Sequence, residues 1–139
     1  QVRFLSKSGN TKKVADAISK EVGVPAESIE KGISENADIL FLGGAVYWAG
    51  IDKELKKFIL SLDNSVKKVA IFSTTAITKS AYGEIKKLLK AKDIAVCENE
   101  FHFKGEFSKF HKCRPNAEDL KLAKEFAREI INDLYKRVD

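Results

Sequence analysis

Cysteine, proline and glycine are all scarce in this chain, with 2, 2 and 8 residues among 139. The two thiols, Cys97 and Cys113, sit sixteen positions apart. That spacing fits neither a C-x-x-C redox pair nor a zinc site. No metal ligand is assigned on this basis, and Cys97 is expected to pack in a strand as a small hydrophobe. The prolines stand alone at Pro25 and Pro115, and there is no repeat and no Pro-, Gly- or Ser-rich linker. One domain spanning residues 1–139 follows. Long apolar runs are missing too. The longest, Ile39 to Gly50, contains glycines and falls short of the roughly 20 residues that span a bilayer, so membrane insertion is not expected. Gln1 to Ser6 turns polar too soon for a signal peptide, which makes the cytoplasm the expected compartment. Charge of one sign does not dominate. Twenty-five Lys and Arg against twenty Asp and Glu give +5, with a pI near 9.1 and no basic tail. This suggests anionic ligands or partners and no nucleic-acid interface.

The residues that are present are 44% hydrophobic and 32% charged, a balance that can bury a core without a metal or disulfide staple. Short apolar runs of strand character occur at Val2 to Leu5, Asp38 to Leu42, Lys68 to Phe72 and Ile94 to Phe103, with a weaker one at Ser28 to Glu30. Amphipathic helices are predicted over Thr11 to Val22, Asp52 to Leu62 and Ser80 to Ala91, each with an apolar stripe at helical spacing. The last helix starts at an Asn116 cap, carries Glu118 and Asp119 in its electropositive first turn, and aligns Leu120, Ala123, Ala127, Ile130 and Leu134. Apolar strands alternating with such helices predict an α/β fold. It is a doubly wound five-stranded parallel sheet of order 2-1-3-4-5, covered on both faces as a three-layer sandwich. Only Lys31 to Ala37 separates the second and third strands, so a single turn or irregular loop is expected there instead of a crossover helix.

In such a sheet ligands bind beyond the carboxyl ends of the strands, where the strand order reverses. The loop after the first strand, Ser6-Lys7-Ser8-Gly9-Asn10-Thr11, joins hydroxyls, a glycine and free helix N–H groups, all suited to a phosphate. It is neither G-x-x-x-x-G-K-[ST] nor G-x-G-x-x-G, which argues against nucleoside triphosphates and NAD. It also lacks a cysteine nucleophile, and the third strand ends in Gly43-Gly44 without the acid a receiver domain needs. The third-strand loop, Gly43-Gly44-Ala45-Val46-Tyr47-Trp48-Ala49-Gly50, sets the only tryptophan beside a tyrosine between glycines, a composition that fits a planar ring. Ser73-Thr74-Thr75 follows the fourth strand and could meet the ring's polar edge. His102 and His111 have no supporting acid or base at a useful spacing, so no catalytic residue is assigned.

These residues resemble the flavodoxins of the short-chain kind. Ser6 to Thr11 is similar to the family's hydroxyl-x-hydroxyl-Gly-x-Thr phosphate loop. Asp38 to Gly44 resembles its third strand, and Phe101 to Gly105 and Arg114 to Leu120 resemble segments of small flavodoxin-like proteins. The resemblance implies a flavodoxin-like sandwich holding non-covalent FMN, its phosphate at Ser6, Lys7, Ser8, Gly9, Asn10 and Thr11. Its ring would then lie between Ala45 to Gly50 and Ser73 to Thr75. It further implies a peptide in the third-strand loop whose carbonyl turns toward the flavin N5, for which Gly43 to Gly50 offers enough glycine.

The implied function is one-electron transfer between redox partner proteins by a monomer or weak dimer, with the cofactor performing the redox chemistry. The alternative is a small FMN-dependent oxidoreductase resembling quinone reductases or protoporphyrinogen oxidase. The chain departs from the family in its charge, since electron-carrying flavodoxins are typically acidic. Lys7, Lys12 and Lys13 around the phosphate loop predict a less negative potential for the last electron. A second group, Lys79, Lys86, Lys87, Lys90 and Lys92 on and beside the Ser80 to Ala91 helix, reads as a solvated face or, alternatively, as a contact for redox partners with acidic docking surfaces.

Overall fold

A computed structural model of the chain describes residues 1–5, 10–33, 36–44, 46–47, 50–51, 53–73, 79–102 and 117–138. Five strands, β1 (Val2–Phe4), β2 (Ala26–Ser28), β3 (Leu40–Gly44), β6 (Lys68–Ser73) and β7 (Ala95–His102), form one parallel sheet in the order β2-β1-β3-β6-β7. This is the expected 2-1-3-4-5 arrangement. A further pair, β4 (Val46–Tyr47) and β5 (Gly50–Ile51), makes a separate antiparallel hairpin. The helices are α1 (Asn10–Val22), α2 (Lys53–Ser61), α3 (Lys79–Lys90) and α4 (Ala117–Val138).

Strand alternation sorts the core into two layers, because successive side chains leave a strand on opposite faces. Val2, Phe4, Phe41, Ala70 and Phe72 pack with Val14 and Ile18 of α1 and with Ala123, Phe126 and Ile130 of α4. Leu40, Leu42, Val69 and Ile71 face the other way, onto Leu55, Phe58 and Ile59 of α2 and Ile85 and Leu89 of α3. Phe41 and Phe126 meet edge to face, ring centres 6.3 Å apart and planes at 73°. Cys97 is buried in β7 within the α1/α4 layer, as its composition suggested. Cys113 lies outside the described residues.

The short second connection is a turn. After β2 the chain makes one 3-10 turn, Ile29–Lys31, capped by the Ser28 hydroxyl, which accepts from the Glu30 N–H, and left through Gly32 at φ 65°. The expected weak strand at Ser28 to Glu30 therefore sits two residues earlier, at Ala26–Ser28, because Ser28 ends the strand by capping that turn. With no crossover helix over β1, its central side chain fills the gap. Arg3 is only 3% exposed. It donates from Nε to the Gly32 carbonyl at 2.7 Å, from Nη1 to the Val2 carbonyl at 2.9 Å and from Nη2 to Gln1 Oε1 at 2.7 Å, with the Glu27 carboxylate 3.4 Å away.

On the opposite layer α1 and α4 are tied by Arg128, which donates to both oxygens of Glu21 at 3.3 and 3.0 Å. The hydrogen bonds from Arg128 hold the Glu21 carboxyl below its ordinary pKa, and those from Ser65 do the same for Asp63. A depressed carboxylate pKa adds stability above the unfolded value, and that stability is lost as pH falls through the folded one. Glu21→Gln is accordingly expected to flatten the decline of the urea midpoint between about pH 5 and 3. An unchanged slope would remove Glu21 as a contributor to acid sensitivity.

Candidate functional site

The two helices that flank β1 and β3 leave the sheet on opposite faces, so a crevice opens between the carboxyl ends of these strands. Pairing continues to its floor, where the Leu5 N–H donates to the Gly43 carbonyl at 3.0 Å. The first turn of α1 begins at Asn10, five residues beyond Leu5, and the aligned peptide dipoles give that end of the helix a partial positive charge. Thr11 stands in this turn and is 2% exposed, one of three buried polar or charged side chains among the described residues. Ser6, Lys7, Ser8 and Gly9 lie outside the described residues. Asn10 is placed as the first residue of the helix.

Of the cations expected around this loop, Lys12 is turned elsewhere. Its ammonium is 3.0 Å from Asp16, one turn further along α1, the arrangement of an i,i+4 ion pair. An open cavity of about 500 Å³ adjoins the same edge on the β2 side, lined by Phe4, Lys12, Glu27, Ser28 and Lys31 among others. It flanks the crevice and does not fill it.

The third-strand segment differs from its expectation. Gly43 and Gly44 are the last two residues of β3, paired with Phe72 and Ser73, and do not belong to a loop. Their missing side chains are a packing requirement on both faces of the sheet. A Cβ at Gly43 would stand 2.1 Å from the Phe72 ring, and one at Gly44 would stand 2.7 Å from a Leu55 methyl. These two glycines therefore do not supply the backbone freedom that the resemblance asked of Gly43 to Gly50. Beyond them Val46 and Tyr47 pair with Ile51 and Gly50 in the hairpin, which the sequence reading took for a loop because each strand is only two residues long. Ala45, Trp48 and Ala49 lie outside the described residues. At the end of β6, Ser73 pairs with Gly44 on one side and His102 on the other, while Thr74 and Thr75 lie outside the described residues.

The carboxyl edge thus brings Thr11, the Val46–Ile51 hairpin and Ser73 to one side of the sheet, with β1 and β3 adjacent beneath them. A model of the flavodoxin domain matches residues 1–109 of this chain. The chain belongs to the flavodoxin family.

Membership in the family implies a flavin as cofactor, and the residues at the crevice fit such a group: a polar helix start for an anion and a glycine-edged hairpin carrying an aromatic residue. An uncharacterized protein of Methanocaldococcus jannaschii is 31% identical over 137 residues, covering 89% of this flavodoxin and 91% of that protein. Two solved flavodoxins share the fold over nearly the whole chain. One comes from the domain Archaea, with TM-score 0.75, 19% identity and 96% of each chain covered. The other is oxidised Flavodoxin 2 from Bacillus cereus, with TM-score 0.69, 16% identity and 95% and 97% covered. Rubredoxin oxygen:oxidoreductase from Desulfovibrio gigas matches 99% of this chain with TM-score 0.71 and 14% identity, but over only 36% of its own length. The described residues contain no group of His, Cys, Asp and Glu arranged to hold a metal and no helix long and apolar enough to cross a membrane.

Proposed function

We propose that this chain binds FMN without a covalent bond at the carboxyl edge of the sheet and carries electrons between redox proteins. The observation that carries the reading is the buried Thr11 at the start of α1, beside the β1–β3 crevice, directly after a loop whose letters suit a phosphate. FMN supplies the redox chemistry when bound, since its ring accepts and releases electrons singly or in pairs. The protein contributes binding and orientation. Ser6, Lys7, Ser8, Gly9, Asn10 and Thr11 would hold the phosphate through hydroxyls, backbone N–H groups and the helix dipole. Ala45 to Gly50, with Tyr47 and Trp48, would cover one side of the ring, and Ser73, Thr74 and Thr75 would meet its edge.

Thr11→Val keeps the shape of the side chain and removes its hydroxyl. It is expected to weaken FMN binding by about 1–3 kcal/mol, roughly 5- to 150-fold in Kd, the cost of losing a charge-assisted bond to the phosphate. The check is a fluorescence titration of the refolded apo protein, with a thermal melt to confirm that the variant is folded. Unchanged affinity in a folded Thr11→Val protein would remove Thr11 from the phosphate site.

A further inference from the structure

We infer that the outer surface of α2 and α3 is a docking face for an acidic protein, an inference that rests on the electron-carrier reading above for its purpose and not for its evidence. Helices α2 and α3 carry seven lysines against two glutamates, whereas α1 and α4 carry eight cations against seven acids. The excess on the first pair is +5, as large as that of the whole chain. The fold sets this charge on one face, because α2 and α3 cover the same side of the sheet. Lys53, Lys56, Lys57, Lys87 and Lys90 are exposed there. On the opposite layer the two helices carry an excess of only +1, and Arg128 with Glu21 and Lys12 with Asp16 are two of its ion pairs.

Three features identify the partner as a protein with a carboxylate-rich surface. The cations on these two helices are lysines throughout, without an arginine. Arginine is the side chain suited to bidentate phosphate and base recognition, while lysines act as point charges that steer diffusional encounter. Second, Leu60 is 50% exposed one turn beyond Lys56 and Lys57, and Lys92 reaches over to the Leu60 carbonyl at 2.8 Å. An apolar contact ringed by lysines has the composition of a small protein interface, with an apolar centre and a charged rim. Third, α2 and α3 come after β3 and β6 in the chain and start from the carboxyl edge of the sheet, so their first turns stand at the edge proposed for the cofactor. A partner lying along α2 and α3 would reach that edge.

The test is calorimetric titration of the full chain, with and without FMN, by an acidic two-iron ferredoxin at 20 and 200 mM salt. Parallel titrations use vesicles containing phosphatidylserine and a double-stranded DNA oligomer. Two triple variants change the net charge equally, Lys56→Glu, Lys57→Glu, Lys87→Glu on this face and Lys20→Glu, Lys121→Glu, Lys124→Glu on the other. The expected result is binding to ferredoxin that falls at least tenfold between the two salt concentrations. It should fall at least tenfold again in the first triple variant and by less than threefold in the second. Leu60→Ser should weaken binding while leaving the salt slope unchanged.

Equal losses in both triple variants would reduce the effect to net charge and overturn the docking face. So would tighter, α2/α3-dependent binding to vesicles or DNA, or no binding to ferredoxin at low salt. Because the titration reads association and not flavin reduction, a chain that fails to take up FMN but binds ferredoxin through this face would refute the cofactor reading alone.

Discussion

Replacing Arg3 with alanine is expected to destabilise the protein by about 2–4 kcal/mol, the range for removing one member of a buried, hydrogen-bonded charge group. Arg3 is nearly inaccessible at 3% exposure, yet each of its three guanidinium nitrogens has a partner: the Gly32 and Val2 carbonyls, Gln1 Oε1 and the neighbouring Glu27. The guanidinium anchors the turn that replaces a helix between β2 and β3. Its loss strands the Gly32 carbonyl. The Glu27 side chain keeps 34% of its surface in water, so it can be solvated when its partner is gone, which holds the cost below that of a fully buried pair. Arg3→Lys should recover only part of the loss, since an ammonium cannot reach several acceptors from one planar fork. Urea unfolding measures both variants. A change below about 0.5 kcal/mol for Arg3→Ala, the size of an ordinary surface substitution, would show that the turn holds without it.

Gly43→Ala is expected to cost about 3 kcal/mol, the upper part of the range for overpacking a core. The added methyl would stand 2.1 Å from Phe72 Cε2 and 2.3 Å from Cζ, and Phe72 is completely buried beneath α1 and α4. A fully packed ring has nowhere to go. Gly44→Ala is the control on the other face, where the contact is 2.7 Å to one methyl of Leu55, a side chain whose end can rotate. The smaller loss should therefore come from Gly44→Ala. Combining Gly43→Ala with Phe72→Leu should be less destabilising than the sum of the two changes, because each relieves the other. Additive losses, or equal costs at the two glycines, would contradict the assignment of the clash to the Phe72 ring.

The sheet and its order were legible in the sequence because long-range packing and local pattern agree there. Val2 and Phe4 face one layer while Leu40 and Leu42 face the other, and each helix carries the stripe that covers them. The short second connection was legible as a length, since seven residues cannot form a crossover helix. Arg3 was not. Nothing in the local pattern around Val2 and Phe4 names Arg3's partners, which come from residues more than twenty positions away, at Glu27 and Gly32. The hairpin at Val46–Ile51 escaped for a different reason. Two-residue strands carry no period, and the glycines before it suggested a loop when they are the end of β3. Likewise, Lys12 counts as a phosphate-loop cation in the sequence, but its i,i+4 partner Asp16 decides where its charge is spent. The lysine group from Lys79 to Lys92 was legible as a cluster, but that α2 adds its lysines to the same face depends on both helices covering one side of the sheet.

The most direct measurement is a titration of the apo protein with FMN, following flavin and tryptophan fluorescence together. The account predicts saturable quenching at one FMN per chain, with riboflavin binding more weakly because it lacks the phosphate that the Ser6 to Thr11 loop would hold. If FMN, riboflavin and FAD all leave both signals unchanged, the chain uses the flavodoxin fold without the cofactor, and the proposed function is wrong.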